Sequence, residues 1–342
     1  MHPLLFLVAL LAGVNESHAH VRWFTEEAAY PGVRFPMDFT NGLVMAGAML
    51  FGLLALAIER AQWPGRAMER IARLYHLPEG TEWRIVAFLT GIMFLANSTM
   101  RVFLAPNLHV PDDALTGALL AQSLLGLLLL TQLTFSIAGV LIMVATLVTA
   151  LLVPPALLMD YVCEFLGLGV ALLLIGPVLS PVDQKLFRRL GLDAQQHRHR
   201  ALPILRIGVG LTLLILAFHE KLLNPGISLA FLEMHRFNFM PLLGFANFTD
   251  LHFVFAAGVA EATFGVLLVC GLATRFVTGV LSIFFVLTLL ALGPIELVGH
   301  APLFGIAFLL MSRGAGRLME RTEAPATVVE SATTTAFAMV KR

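Results

Sequence analysis

Charged residues are scarce in this sequence: 22 Lys and Arg plus 22 Asp and Glu make up 13% of its 342 residues. Soluble domains carry roughly 25% charged residues. Hydrophobic residues reach 58% here, with a mean hydropathy of +0.86. This composition excludes a soluble globular domain and predicts a polytopic membrane protein. The formal net charge is zero, so the chain lacks the positive excess typical of nucleic-acid binding, and nucleic acid is not an expected partner.

Cysteine is also scarce, since only Cys163 and Cys270 occur and both lie in apolar segments. A disulfide framework and a CxxC redox pair are therefore excluded, and we interpret both residues as small buried hydrophobes. The sequence contains no CxxCH haem site, no cysteine run for an iron–sulfur cluster and no Gly-rich phosphate loop. It thus offers no haem, iron–sulfur or nucleotide motif.

The N-terminus resembles a secretory signal. A short apolar region at Leu4–Leu11 precedes Ser17-His18-Ala19, a small-x-small cleavage site. The sequence therefore predicts a signal peptide at 1–19 and His20 as the mature N-terminus. An uncleaved segment would be too short to span a bilayer comfortably.

Nine further segments are apolar enough to cross a bilayer, or nearly so. Helices are expected because backbone groups in lipid must be hydrogen-bonded within the segment. The predicted spans are 41–58, 84–104, 115–133, 135–153, 157–179, 205–223, 251–270, 276–292 and 296–312. The predicted fold is an all-α polytopic membrane protein with about nine transmembrane helices.

Lys and Arg are distributed asymmetrically between the loops. They concentrate in 59–83, 180–204 and the tail, whereas the loops predicted outside hold only Arg236. The outer N-terminal segment adds Arg22 and Arg34. By the positive-inside rule the mature N-terminus is periplasmic and the C-terminus cytoplasmic.

A four-span unit is predicted to occur twice. Trp83-Arg84-Ile85 opens one copy and Leu205-Arg206-Ile207 opens the other. An even number of spans makes the repeats parallel. The predicted organisation is a signal peptide (1–19), a periplasmic segment (20–40), an extra transmembrane helix with a cytoplasmic amphipathic loop (41–82), a diverged four-helix unit (83–179), a basic cytoplasmic linker (180–204), a second four-helix unit (205–312) and a cytoplasmic tail (313–342).

Ionisable residues differ between the two copies. Glu261 lies in the middle of an apolar span, where the first copy has Gln122 or Ser123. The last spans open with Asp160 and Glu164 in copy one, and with Glu296 and His300 in copy two. Asn97–Arg101 replaces the His219-Glu220-Lys221 run. A carboxylate near the bilayer centre costs about 2.5–3.5 kcal/mol or more, so it normally has a partner or a function.

The second copy resembles the DoxX family of four-span bacterial membrane proteins. The matching residues are Arg206, Glu220-Lys221-Leu222 with Pro225, Ala257-Gly258-Val259-Ala260-Glu261, Gly265 and Gly271-Leu-Ala-Thr-Arg275. The resemblance covers about 205–312. It implies a bacterial inner-membrane location, a link to redox chemistry with a quinone as cofactor, and a soluble redox partner subunit.

Three interpretations of the polar cluster remain open. Glu261 could be neutralised by Lys221, or by Arg206, and serve packing only. Alternatively, histidine and glutamate could exchange protons and hydrogen bonds with a quinone head group. The candidates for that role are His219, Glu220, Glu261, Glu296 and His300, with Lys221 as charge partner.

The third interpretation is metal handling or small-solute transport. Speculative ligands on the outer side are His20, His109, His235 and His252. No tight H-x-x-H or H-E-x-x-H spacing supports a metal site. For His20 the simpler interpretation is that the signal peptidase cuts there.

Overall fold

Helices account for all the regular secondary structure in the part of the chain that the computed structural model describes. These residues are 30, 32–61, 78, 80–105, 108–193, 196–293 and 299–316. The helices are α1 (Phe39–Ala61), α2 (Thr81–Thr99), α3 (Asp112–Thr131), α4 (Ser136–Leu152), α5 (Pro155–Leu179), α6 (Pro181–Arg189), α7 (Ala201–Leu216), α8 (Pro225–His235), α9 (Asp250–Cys270), α10 (Thr274–Leu292) and α11 (Ala301–Arg313). The prediction of an all-helical chain is confirmed for these residues.

Five stretches of the described chain are helical, long and apolar enough to cross a membrane. They are Phe39–Ala61, Asp112–Thr131, Pro155–Leu179, Arg198–Leu222 and Asp250–Cys270. Three further apolar helices, α4, α10 and α11, are shorter. The helix predicted at 84–104 ends earlier, at Thr99, and the one predicted at 296–312 is described from Ala301. The span count of nine stays a prediction.

Several predicted features lie outside the described residues. They are the signal peptide with His20, the amphipathic part of the 59–83 loop, Glu296 and the tail beyond 316.

Helix α9 has well-defined ends. At its start Thr249 and His252 form a capping box, in which Thr249 Oγ1 accepts from the His252 amide and His252 Nδ1 accepts from the Thr249 amide. This satisfies amide groups that no helical carbonyl can reach. At its end Gly271 adopts φ 72°, the left-handed conformation that favours glycine. These two caps define where α9 begins and where it ends.

Glycine pairs allow the long helices to cross closely. A Cβ atom on Gly210 of α7 would lie 2.9 Å from the carbonyl oxygen of Gly265 on α9. Gly91 of α2 and Gly126 of α3 meet in the same way, with a corresponding distance of 2.9 Å. Small residues at such crossings are the usual means of packing helices in lipid, where no hydrophobic effect drives them together.

Two arginines make equivalent contacts at the ends of the helices. Arg84 of α2 donates to the carbonyl of Leu179, at the end of α5, and to the side chain of Gln132, which caps α3. Arg206 of α7 donates to the carbonyl of Ala315, just after α11, and to those of Leu268 and Val269 at the end of α9. Each arginine therefore bonds groups at the C-terminal ends of two helices, where the helix dipole favours a cation.

The halves of the chain meet through two helix pairs. Helix α7 packs against α5 as well as α9, and α11 packs against α2. At the second contact Arg313 Nη2 lies 3.1 Å from Glu82 Oε2. Helix α1 packs against α9, with Phe51 contacting the rings of Phe264 and Phe276. This arrangement brings α5 next to the polar end of α7.

Candidate functional site

A π-helical turn extends α7 from Ala217 to Leu222 and carries the His219-Glu220-Lys221 run. The Leu223 amide bonds the Phe218 carbonyl at 2.8 Å, five residues back. Such wide turns are rare and are frequent at functional sites. Two following side chains bond carbonyls of the turn: Asn224 Nδ2 donates to His219 O and Ser228 Oγ to Glu220 O, each at 2.8 Å.

Lys221 is the cation that contacts Glu261. Its Nζ lies 2.9 Å from Glu261 Oε2 and 3.9 Å from Glu220 Oε2. The exposed fraction of the side chain is 12% for Lys221, 2% for Glu220 and 28% for Glu261. Arg206, the other partner considered from the sequence, bonds backbone carbonyls instead. The π turn and α9 thus form a buried ammonium–carboxylate cluster.

His219 pairs across the interface between the two halves. Its Nδ1 lies 2.8 Å from Oδ1 of Asp160 on α5. The Asp160 side chain is fully buried, whereas 22% of the His219 side chain is exposed. Lys221 also lies within electrostatic range of Asp160. The cluster therefore contains a carboxylate that the sequence analysis had assigned to the first unit and had not counted as a site residue.

His300 and Glu164 are a second pair of ionisable residues that influence each other across the two halves. Glu164 is buried on α5, one turn after Asp160, and lies within electrostatic range of His300. The His300 ring stacks on Phe285, with ring centroids 5.8 Å apart. Glu296 lies outside the described residues, so its place relative to this pair stays a prediction.

The position of Glu261 along α9 follows from the rise per residue of an α-helix. Glu261 is the twelfth residue of α9. At 1.5 Å per residue it lies about 16 Å from the start of this helix, which is near its middle. Its partner Lys221 is in the last turn of the Arg198–Leu222 span, so the ion pair joins the middle of one span to the end of another.

Gln122, the residue that the predicted repeat aligns with Glu261, forms only uncharged hydrogen bonds. Gln122 Oε1 accepts from the Leu104 amide at 2.6 Å, and its Nε2 donates to Ser98 Oγ and to Val102 O. Asn97 Nδ2 donates to Leu104 O. These side chains fasten the segment after α2 with hydrogen bonds that carry no charge. The side chains of Gln122 and Asn97 thus stabilise local packing, in contrast to the charged cluster around Lys221.

Comparisons with family models, curated proteins and solved structures found no match.

The speculative metal ligands lie apart in the described structure. His109 is exposed, and His235 contacts the ring of Phe231. His252 uses Nδ1 in the α9 cap and places Nε2 2.7 Å from Asp38 Oδ2. Within the described residues there is no group of three His, Cys, Asp or Glu side chains arranged to hold a metal ion. His20 lies outside them.

The segment before α1 contacts helices α8 and α9. Asp38 accepts from the Asn41 amide and pairs with His252, and these contacts hold the pKa of Asp38 below its usual value. Tyr30 donates a hydrogen bond to Glu233 on α8, which raises the pKa of Tyr30. Phe35 contacts Phe255, with ring centroids 5.0 Å apart. The segment therefore lies across the end of the unit that contains the cluster.

Proposed function

We propose that this chain is a bacterial inner-membrane protein in which the cluster around Lys221 and Glu261 binds the head group of a quinone, as part of a redox system. The observation that carries the proposal is the ion pair itself: Nζ and Oε2 are 2.9 Å apart, near the middle of an apolar helix, with 28% of Glu261 exposed. A ligand that reaches this depth by diffusing in the lipid is more compatible with the pair than a water-soluble one.

The cluster offers the contacts that a quinone head group requires. Quinone oxygens accept hydrogen bonds, and Lys221 is a donor. Quinol hydroxyls donate hydrogen bonds, and Glu261 and Glu220 are acceptors. His219 adds an imidazole ring that can donate or accept a hydrogen bond. Both redox states of one head group can therefore be bound by the same side chains.

The contrast between the halves supports a functional role rather than a packing role. A polar group at this position can be satisfied without charge, as Gln122 shows in the first half. Keeping three charged side chains in the second half costs desolvation energy that a glutamine would avoid. We therefore attribute the charges to ligand binding.

The proposed architecture is nine spans after a cleaved signal peptide, with two parallel DoxX-like units. The equivalent contacts of Arg84 and Arg206 at helix ends support the repeat. The mature N-terminus is proposed to be periplasmic and the C-terminus cytoplasmic. In line with the resemblance to DoxX proteins, we propose that a soluble redox partner supplies or removes the electrons.

The test is quinone binding to the purified full chain in lipid nanodiscs. Ubiquinone-1 is titrated into the wild type, Glu261→Gln and the matched control Glu233→Gln, whose glutamate contacts Tyr30 outside the cluster. We expect Glu261→Gln to weaken binding roughly tenfold or more, because a hydrogen bond to a charged group contributes about 1.5–3 kcal/mol. The control should bind as the wild type does.

Equal affinity in all three proteins would contradict the proposal and leave the cluster with a packing role. Metal analysis of the same samples tests the alternative of metal handling or small-solute transport. Stoichiometric copper or zinc that disappears in His300→Ala would favour that alternative.

A further inference from the structure

We infer that His219, held by Asp160, is the proton acceptor for a hydroxyl group bound at Lys221 and Glu261. The inference rests on the proposed function. It adds Asp160, from the other half of the chain, to the proposed site. The observation is the contact of 2.8 Å between His219 Nδ1 and Asp160 Oδ1, across the α5–α7 interface.

The pair fixes which nitrogen of His219 is basic. When Asp160 is ionised, its oxygens can only accept hydrogen bonds. Nδ1 of His219 then carries a hydrogen and donates a hydrogen bond to Asp160 Oδ1. A neutral imidazole then has its lone pair on Nε2, as in other carboxylate–histidine pairs that act as general bases. Asp160 acts through His219 and is therefore a positioning residue.

The surrounding charges fit a proton transfer. When a phenolic O–H bond breaks and an Nε2–H bond forms, the oxygen retains the negative charge and the imidazole becomes positive. The oxygen remains next to the Lys221 ammonium and the imidazolium next to Asp160. No electron is transferred in this step. Among the described residues, Glu220 and Glu261 contact Lys221, and Glu164, one turn after Asp160, lies within electrostatic range of His300.

The different exposure of the two side chains indicates where the transferred proton can leave. Asp160 is buried, whereas 22% of the His219 side chain is exposed. His219 is also close to the C-terminal end of the α7 span, three residues before Leu222. In the proposed topology this end is the outer one, so the proton leaves His219 towards the periplasm.

The probe for the test is 2-heptyl-4-hydroxyquinoline N-oxide, whose hydroxyl group imitates that of a quinol. Infrared difference spectra of probe binding are recorded for the full chain with ¹⁵N-labelled histidine in nanodiscs. We expect binding to produce an imidazolium signal in the wild type and in the control His235→Gln. The signal should be lost in His219→Gln and in Asp160→Asn, while Asp160→Asn still binds the probe.

Each result has a defined meaning. Probe binding without an imidazolium signal in the wild type, or an unchanged signal in Asp160→Asn, overturns the inference and leaves the proposed binding site intact. Absence of saturable probe binding to the wild type overturns the proposed function itself. The wild-type spectrum by itself tests whether a histidine accepts the proton. The outcome therefore does not depend on whether Asp160→Asn folds.

Discussion

Lys221 is central to the cluster because its ammonium group lies between two carboxylates. It contacts Glu261 at 2.9 Å and Glu220 at 3.9 Å. In a medium of low polarity each of these charges depends on the others. Removing one partner leaves an uncompensated charge, whereas removing a matched pair does not.

Lys221→Met should therefore destabilise the protein by about 3 kcal/mol, the lower part of the range for a broken buried pair, because Glu261 retains some exposure. Lys221→Met combined with Glu261→Gln should recover part of this loss, because Glu261 is then neutral while Glu220 still lacks its cation. The measurement is thermal or denaturant unfolding in detergent, followed by circular dichroism. A double variant that is less stable than the single one would show that the pair contributes more than charge balance.

Asp38 provides a pH prediction outside the membrane. Its pKa is lowered in the folded protein, mainly by the Asn41 amide and then by His252. A lowered pKa means that the contact stabilises the fold fully above the unfolded value of 3.8 and is lost as pH falls through the lower folded value. Exchange protection of the Asn41 amide should therefore not change between pH 5 and 7. Asp38→Ala should remove this protection at every pH, and protection that fades between pH 7 and 5 would contradict the assignment.

At the scale of helices, the close crossings at glycine position the site. Gly265 of α9 lies against the Gly210 carbonyl, and this crossing sets how Glu261, one turn away, approaches α7. Gly279 of α10 has open space where a Cβ atom would be. The two glycines are thus a matched pair for testing the crossing.

Gly265→Ala should lower the free energy of unfolding by about 1–3 kcal/mol, because the added methyl group forces the two backbones apart. Gly279→Ala should be neutral or slightly stabilising, since alanine favours a helix more than glycine does. Unfolding in detergent measures both. Equal effects of the two substitutions would show that the crossing is looser than the structure indicates.

Much of the helical structure could be predicted, because long apolar runs have few alternatives in lipid. The π turn could not be predicted, since one extra residue in an apolar helix leaves no pattern in the sequence. Helix α8 was also missed and assigned to a loop, as was α6. The Asp160–His219 contact joins helices from different units, so it depends on packing that periodicity cannot reveal.

For the whole molecule, the two halves contribute unequally to one site. The second half supplies Lys221, Glu261 and His219, and the first supplies Asp160. The resemblance to DoxX proteins covers the second half alone. The charged residues lie within the region of resemblance. Their partner Asp160 lies before it and could not be found in that way.

The proposed orientation can be tested with single cysteines in a Cys163→Ser, Cys270→Ser background. Asn247→Cys, in the exposed segment before α9, should react with a membrane-impermeant maleimide on intact spheroplasts. Leu192→Cys, in the exposed segment after α6, should react only after permeabilisation. The reverse pattern would invert the topology and place the cluster towards the cytoplasm.

The most direct test of the central claim combines stability with binding in the variant that carries both Lys221→Met and Glu261→Gln. The account predicts a protein that is more stable than Lys221→Met alone, because Glu261 no longer loses its cation, although Glu220 still does. It also predicts that ubiquinone-1 no longer binds in a saturable manner. A stable double variant that binds ubiquinone-1 with wild-type affinity would contradict the assignment of this cluster as the ligand site.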